Sequence, residues 1–285
     1  MLSVVLPKGS LEQSILALFQ QADLTVQRDS DREYRGTIDD PRIGEVRILR
    51  PQEIPTYVAK GYFDIGVTGL DWIRETESEV VELLDLGRPV KLVLAVADSS
   101  AVESARDLPP GSRISTEYPV ITRRFFEQLG IPVEIYLSYG ATEAKVPDIA
   151  DAVVELTETG STLRQNRMKI VDTLLTSSSR LIMNPQSYQD EARRAAAEDI
   201  RTLIEGALAA RGRVLVKLNV SQKDLEGVIS ILPAMKAPTV SQLFGNGYYA
   251  VETVVEKGCI NRLIPQLKRL GAEDILEIPI VKIVE

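Results

Sequence analysis

Glu155 closes an apolar run, and Glu158, Thr159, Gly160, Ser161 and Thr162 follow it as a short polar loop. Three hydroxyls and a glycine ahead of a predicted helix start make an anion site. Gly160 lets backbone approach a ligand closely and can take positive φ. The first N–H groups of a helix beginning near Thr162 lack intrahelical partners and favour negative charge. A phosphate fits such a loop, but a carboxylate beside it repels a phosphate unless it has another task. A sugar supplies one, because Glu155 can accept hydrogen bonds from two ribose hydroxyls. The pairing points to a ribose 5-phosphate. Taken alone, the loop also reads as a plain N-cap, with Thr159 or Ser161 ending a solvent loop. No Gly-Lys-Ser/Thr follows, so it is not a P-loop.

Further segments carry ligand-binding types at strand ends. Lys8 and Gly9 stand after the first strand, where a helix begins, and Lys8 offers a point charge. Arg50 follows another strand. Thr68, Gly69 and Asp71 follow a third, and Tyr118 occupies a strand-to-helix turn with two arginines behind it. Each has a structural alternative: Lys8 and Arg50 as solvated charges, Asp71 as a helix cap, Tyr118 as a core edge. Four such crevices on one chain favour a binding cleft.

The elements that must position them alternate. Strands are predicted at Ser3–Leu6, Glu45–Leu49, Phe63–Thr68, Val80–Leu84, Leu92–Ala97, Arg113–Thr116, Val133–Leu137, Ala152–Leu156, Ile170–Leu175 and Arg180–Met183. Helices are predicted at Ser10–Gln21, Gln52–Lys60 and Val120–Leu129, and a long one from Ser187 to Ala210. That alternation predicts an α/β class with mostly parallel sheets. Beyond Gly212 come strand Val214–Val220, helix Gln222–Ile231, strand Thr239–Phe244, a Gly245–Gly247 turn, strand Tyr248–Val255, helix Asn261–Leu270 and strand Ile275–Val284. This β-α-β-β-α-β order is ferredoxin-like and predicts a separate small domain.

Composition narrows the chemistry. The 285 residues are 44% hydrophobic and 26% charged, ordinary for a globular chain of more than one domain. A net charge of -8 argues against nucleic-acid binding through a broad basic face. The chain has no histidine, which removes histidine-based triads, general bases and zinc sites. One cysteine, Cys259, excludes an intrachain disulfide and a cysteine-cluster metal site. No apolar run reaches membrane-spanning length, and the first residues read as a strand, so the expected location is cytoplasmic.

The spacing of Glu155, Thr159, Gly160 and Thr162 resembles the phosphoribosyl-pyrophosphate loop of phosphoribosyltransferases. Taken with LPKGSL, LRPQEIPTYVAKGYFDIGVTGLD, STEYPVITRRFF, YGATEAKVPDIADAVVELTETGSTL and MKAPTVSQLF, the chain resembles the long-form ATP phosphoribosyltransferases of histidine biosynthesis. The resemblance implies a two-lobed, periplasmic-binding-protein-like catalytic part and a C-terminal ferredoxin-like (ACT-like) regulatory domain. Lobe I would be residues 1–90 with 180–210, lobe II 91–179, and the regulatory domain 211–285. It implies ATP and phosphoribosyl pyrophosphate as substrates, Mg²⁺ as cofactor, histidine as inhibitor and a homo-hexamer. Glu155 would hold the ribose diol and residues 158–162 the 5-phosphate. Lys8 and Arg50 would meet pyrophosphate or triphosphate charge, and Gly9, Thr68, Gly69, Asp71, Tyr118 and Glu143 would line the substrate sites. Asn219, Thr239 and Ser241 would form the effector pocket. The family pattern leads one to expect an acidic residue near Asn219, and an amide offers no charge to the effector's amino group.

A non-catalytic two-lobed binding or sensing protein is the alternative from another class, since fold alone does not separate the two. A sensor of amino acids has no use for a ribose and phosphate cradle. A transferase acting on another base, or a dead assembly subunit, is disfavoured by the ordered flanking segments and the intact loop.

Overall fold

A computed structural model of the chain describes every residue except Asp31, Ala234, Lys236, Asn246 and Glu285. The middle of the predicted Gly245–Gly247 turn and Lys236 of the MKAPTVSQLF segment therefore lie outside the described residues. Along the chain the strands are β1 (Leu2–Pro7), β2 (Val26–Gln27), β3 (Arg35–Ile38), β4 (Ile43–Leu49), β5 (Ile65–Gly69), β6 (Val81–Asp85), β7 (Val90–Ala97), β8 (Ser112–Thr116), β9 (Val133–Leu137), β10 (Ala152–Thr157), β11 (Met168–Ser177), β12 (Ser179–Met183), β13 (Arg213–Ser221), β14 (Thr239–Gln242), β15 (Tyr248–Glu256) and β16 (Ala272–Pro279). The chain forms two compact units, Met1–Leu16 with Val26–Arg201, and Ala17–Thr25 with Thr202–Glu285.

The first unit holds two sheets, in the orders β2-β3-β4-β1-β5-β12-β6 and β11-β7-β10-β8-β9. Both are mixed, which corrects the expectation of mostly parallel pairing. β4, β1 and β5 run parallel, as do β10, β8 and β9, while β12 and β7 run against them. The chain crosses between the sheets at β6–β7 and again at β11–β12, giving two lobes. Strands buried on both faces form each centre. Val4, Val5 and Leu6 are at most 1% exposed in the first sheet, and Leu92, Leu94, Val153 and Val154 likewise in the second.

The helix Pro119–Leu129 packs on the second sheet through Phe126. Pro119 opens it with a fixed φ, and Gly130 stops it at φ 70, a left-handed position that favours glycine. The long helix expected from Ser187 to Ala210 is broken at Asp190 into Pro185–Gln189 and Glu191–Ala210. The Asp190 carboxylate accepts the Arg193 N–H at 3.0 Å and starts the second piece.

The second unit carries the sheet β14-β15-β13-β16, all antiparallel, with helices Leu225–Ile231 and Lys257–Arg269. This is the ferredoxin-like arrangement. β13 alternates strictly: Val214, Val216, Leu218 and Val220 are buried with the helices, and Lys217 and Asn219 face the other way. The last strand ends at Pro279, short of Val284, because proline has no N–H to continue the ladder. The tail continues without strand pairing, and Ile283 N–H donates to Gly206 O at 2.9 Å. Among the described residues no helix is long and apolar enough to cross a membrane.

Candidate active site

In the second sheet, β8, β9 and β10 are parallel and end together. Leu137 pairs with Thr116, and Thr116 with Val154. One sheet edge therefore collects Ser138, Glu117, Glu155 and Thr157. Glu155 shares its face of β10 with Val153, beside Leu163 and Met168. It is half-buried, and burial pushes its carboxyl up to about 7 despite the Thr142 side chain, which favours the charged form; the nearby charges of Glu143 and Glu117 push the same way as burial. Ser115 lies on this face too, 1% exposed, and its hydroxyl has no hydrogen-bond partner among the described residues.

The loop after β10 has the expected form. Gly160 sits at φ 70 and caps the helix Ser161–Gln165 without a side-chain cap bond. The left-handed φ favours glycine, and a Cβ there would also crowd the Arg164 Nη1 and Ile170 Cδ1 tips at 3.1 Å. Gly160 N–H donates to Thr157 Oγ1 at 2.8 Å, and the Thr159 and Ser161 hydroxyls meet at 3.1 Å. Glu158, Thr159, Ser161 and Thr162 are exposed. The loop thus presents hydroxyls to solvent from a fixed backbone.

In the first sheet, β1, β4 and β5 also end together. Lys8 and Arg50 follow the paired residues Pro7 and Leu49, and Lys8 N–H donates to Leu49 O at 2.7 Å. The two residues are backbone neighbours at the ends of adjacent strands. The Lys8 ammonium lies 4.1 Å from the Tyr34 ring centre, and Arg50 is exposed. Gly9 takes φ 90, and its N–H donates to the Glu12 carboxylate at 3.3 Å. The helix start proposed for an anion is therefore occupied by the chain's own Glu12, which also pairs with Arg28 at 2.9 Å. Thr68 is fully buried and donates to Pro51 O at 2.8 Å.

Asp71 and Tyr118 join the two sheet edges. Asp71 is 3% exposed, and its carboxylate accepts Ser177 Oγ at 2.5 Å and the Tyr118 hydroxyl at 3.0 Å. Gly69 must be glycine, since a Cβ would meet Asp71 Oδ1 at 2.2 Å. Burial raises the Asp71 carboxyl and, with that carboxylate beside it, the Tyr118 phenol. Tyr118 stacks on Trp72 at 4.5 Å between ring centres and is 4% exposed. Glu75, on the same helix as Asp71, accepts the N–H groups of Val120 and Ile121 at 2.9 and 3.0 Å, capping the helix Pro119–Leu129 across the lobes. The structure thus places Asp71, Thr68 and Tyr118 inside the scaffold that holds the edges together. Asp151, the residue before β10, binds Arg113 with both carboxylate oxygens at 2.8 and 3.2 Å.

The sequence singled out Glu143 but not Ser138, Thr142, Lys145, Glu75 or Ser177. Thr142 and Lys145 belong to the quoted segment around Glu155, so hydroxyl and ammonium there were a signal. Glu75 and Ser177 show no local one.

Across β13, β15 and β14, Asn219, Ala250 and Ser241 lie on one rung, and Lys217, Glu252 and Thr239 on the next rung of the same face. Directly opposed residues share a face, so Asn219, Thr239 and Ser241 gather on the face away from the helices. The carboxylate missing near Asn219 comes from β16: Asp274 accepts the Asn219 side-chain N–H at 2.9 Å.

The family model described as ATP phosphoribosyltransferase matches residues 50–206, and the one described as HisG, C-terminal domain, matches residues 210–282. The ATP phosphoribosyltransferase of Pelotomaculum thermopropionicum is 44% identical over 287 residues, covering 98% of each chain. That of Chlorobium phaeobacteroides is 43% identical over 290 residues, covering 100% of this chain and 98% of its own. A solved ATP phosphoribosyl transferase (HisG:HisZ) complex from Thermotoga maritima superposes with a TM-score of 0.63 at 26% identity, covering 72% of this chain and 99% of that one.

Proposed function

The chain belongs to the ATP phosphoribosyltransferase family, a family of pentosyltransferases, and from this we propose the full reaction and its control. A bond forms between adenine N1 of ATP and C1′ of phosphoribosyl pyrophosphate. The C1′–oxygen bond breaks, and its electron pair leaves with pyrophosphate. The product is N1-(5-phosphoribosyl)-ATP, in the committed step of histidine biosynthesis in the cytoplasm. The observation that carries this reading is Glu155 at the end of β10, followed by the glycine-turned hydroxyl loop. Glu155 accepts the ribose hydroxyls, residues 158–162 hold the 5-phosphate, and Lys8 and Arg50 offset the charge of the polyphosphates.

The chemistry suits a chain without histidine. Adenine N1 carries no proton at neutral pH, so no strong base is needed to start. The barrier is cleavage through an oxocarbenium-like state, and positioning and charge lower it. Among the described residues no group of three or more Asp, Glu, Cys or His could hold a metal ion. That fits Mg²⁺ carried largely by substrate phosphates and water, where it supplies charge neutralisation.

We further assign histidine feedback to the polar face of Asn219, Thr239, Ser241 and Asp274, whose carboxylate suits an amino group. The assembly expected is a homo-hexamer, checked by sedimentation.

The test is an ultraviolet assay with ATP, phosphoribosyl pyrophosphate, Mg²⁺ and pyrophosphatase, repeated with histidine. A signal needing both substrates and falling with histidine supports both parts. A signal indifferent to histidine removes the effector assignment. Silence from folded protein turns the reading to a binding protein.

A further inference from the structure

Behind Glu155 stands a hydroxyl pair that no substrate contact above uses. Ser138, just past β9, is 2% exposed, and Thr142 is 1% exposed. Gly140 at φ 109 and Ala141 at φ 49 fold the backbone back so that the two meet. Their hydroxyl oxygens are 2.9 Å apart, Lys145 Nζ donates to Ser138 Oγ at 2.5 Å, and the Thr142 side chain reaches Glu155 and favours its charged form.

The proton directions follow from what each group can do. An ammonium only donates and a carboxylate only accepts. Ser138 Oγ therefore accepts from Lys145 and keeps its own proton for Thr142 Oγ1, with Gly140 O at 3.3 Å as the other acceptor. Thr142 then has its own proton to offer the Glu155 beside it. The chain runs one way, from Lys145 through Ser138 and Thr142 to Glu155. The other ionisable groups felt by Glu155 are Glu143 on the same turn and Glu117 at the end of β8, with the neutral Tyr118 phenol nearby. Both carboxylates disfavour its charge, and Lys145 is linked to it only through the Ser138 and Thr142 hydroxyls.

We propose that Ser138, Thr142 and Lys145 are positioning residues that aim the Glu155 carboxylate and hold it ionised for the ribose hydroxyls. The substrate half of this rests on the reading of Glu155 as the ribose ligand. The relay itself is a property of the free protein and is measured there.

The experiment follows the Glu155 carboxyl by ¹³C NMR in glutamate-labelled protein, assigned by its loss in Glu155→Gln, alongside the KM for phosphoribosyl pyrophosphate against pH. Thr142→Val should raise the Glu155 titration midpoint by about one pH unit, a tenfold change in proton affinity. The ionised fraction at pH 7 then falls about fivefold. KM should rise by a similar factor at pH 7 and return towards wild type at pH 9. Thr142→Ser should restore both, and half-buried Lys145→Met should shift the midpoint the same way by less. An unmoved midpoint in Thr142→Val overturns the relay. If that variant does not fold, an unmoved midpoint in Lys145→Met does so. A midpoint that moves while KM does not keeps the relay and removes Glu155 from the ribose.

Discussion

Replacing Glu155 by Gln should make the protein more stable at pH 8 while impairing its chemistry. Gln has the same shape, still accepts from Thr142 and carries no charge. Burial first, then Glu143 and Glu117, lift the Glu155 carboxyl from about 4.5 to about 7. The sign follows from linkage: the folded protein binds this proton more tightly than the unfolded chain, so ionising Glu155 costs folding free energy. The cost is absent below about pH 4.5, accumulates between about 4.5 and 7 and is complete above about 7. A rise of about 2.5 units corresponds to roughly 3 kcal/mol, reduced to about 2 kcal/mol because the group is only half-buried and screened by water. Denaturant midpoints at pH 5 and pH 8 read it. The variant should gain about 2 kcal/mol at pH 8 and under about 1 kcal/mol at pH 5. Its kcat/KM should fall at least about tenfold, since hydrogen bonds to a charged acceptor are each worth about 1.5–3 kcal/mol. Equal pH slopes in both proteins, or a variant less stable at pH 8, would refute the reasoning.

Gly160→Ala forces a left-handed conformation costing about 1–2 kcal/mol and crowds Arg164 and Ile170; KM for phosphoribosyl pyrophosphate should rise about tenfold or more, and an unchanged KM would free the loop from phosphate binding. Glu75→Ala leaves the Val120 and Ile121 N–H groups without their cross-lobe acceptor and should lower stability by about 1–2 kcal/mol in denaturation at acidic pH, where the raised Glu75 carboxyl carries little cost of ionisation. Asp274→Ala should raise the histidine concentration for half-inhibition about tenfold, read against the variant's own uninhibited rate, as expected for losing a charged partner. Glu143→Gln should lower the Glu155 midpoint and still reduce kcat; a raised kcat would mean that Glu155 ionisation alone limits the enzyme.

The strands were legible because apolar runs between turn residues leave few other folds, and β9 matches its predicted bounds, Val133–Leu137. The form of the Glu155 loop was legible for a related reason: strand end, glycine and hydroxyls are adjacent in sequence, so a local pattern predicts the turn and the helix start after it. Strand direction was not, because β12 and β7 reverse through crossings between lobes, which no local pattern encodes. The cross-lobe contacts were hidden for the same reason. Asp71 meets Ser177 across 106 positions, and a buried carboxylate looks like a surface one until its partner is placed. Asp274 is the clearest case. Asn219 alone argued for a chargeless effector pocket, and the pairing of β13 with β16 brings the carboxylate in from 55 positions away.

The raised carboxyl of Glu155 invites a role as general base in a chain that has no histidine. The proposed reaction gives it no proton to take, since adenine N1 attacks with a free lone pair. The clustering of Glu117, Glu143 and Glu155 then has a different logic. In the free protein Glu143 and Glu117 repel Glu155, and that repulsion adds to burial in lifting its carboxyl. As the bond to pyrophosphate stretches, positive charge develops at C1′ and the ring oxygen, and negative groups fixed around the sugar become favourable. Interactions stronger in the transition state than in the ground state are the ones that accelerate a reaction. Relieving the repulsion with Glu143→Gln helps Glu155 ionise and so helps the ground state, yet removes charge from the transition state. The two effects have opposite signs on kcat, and so that single neutral substitution separates a carboxylate cluster built for binding from one built for catalysis.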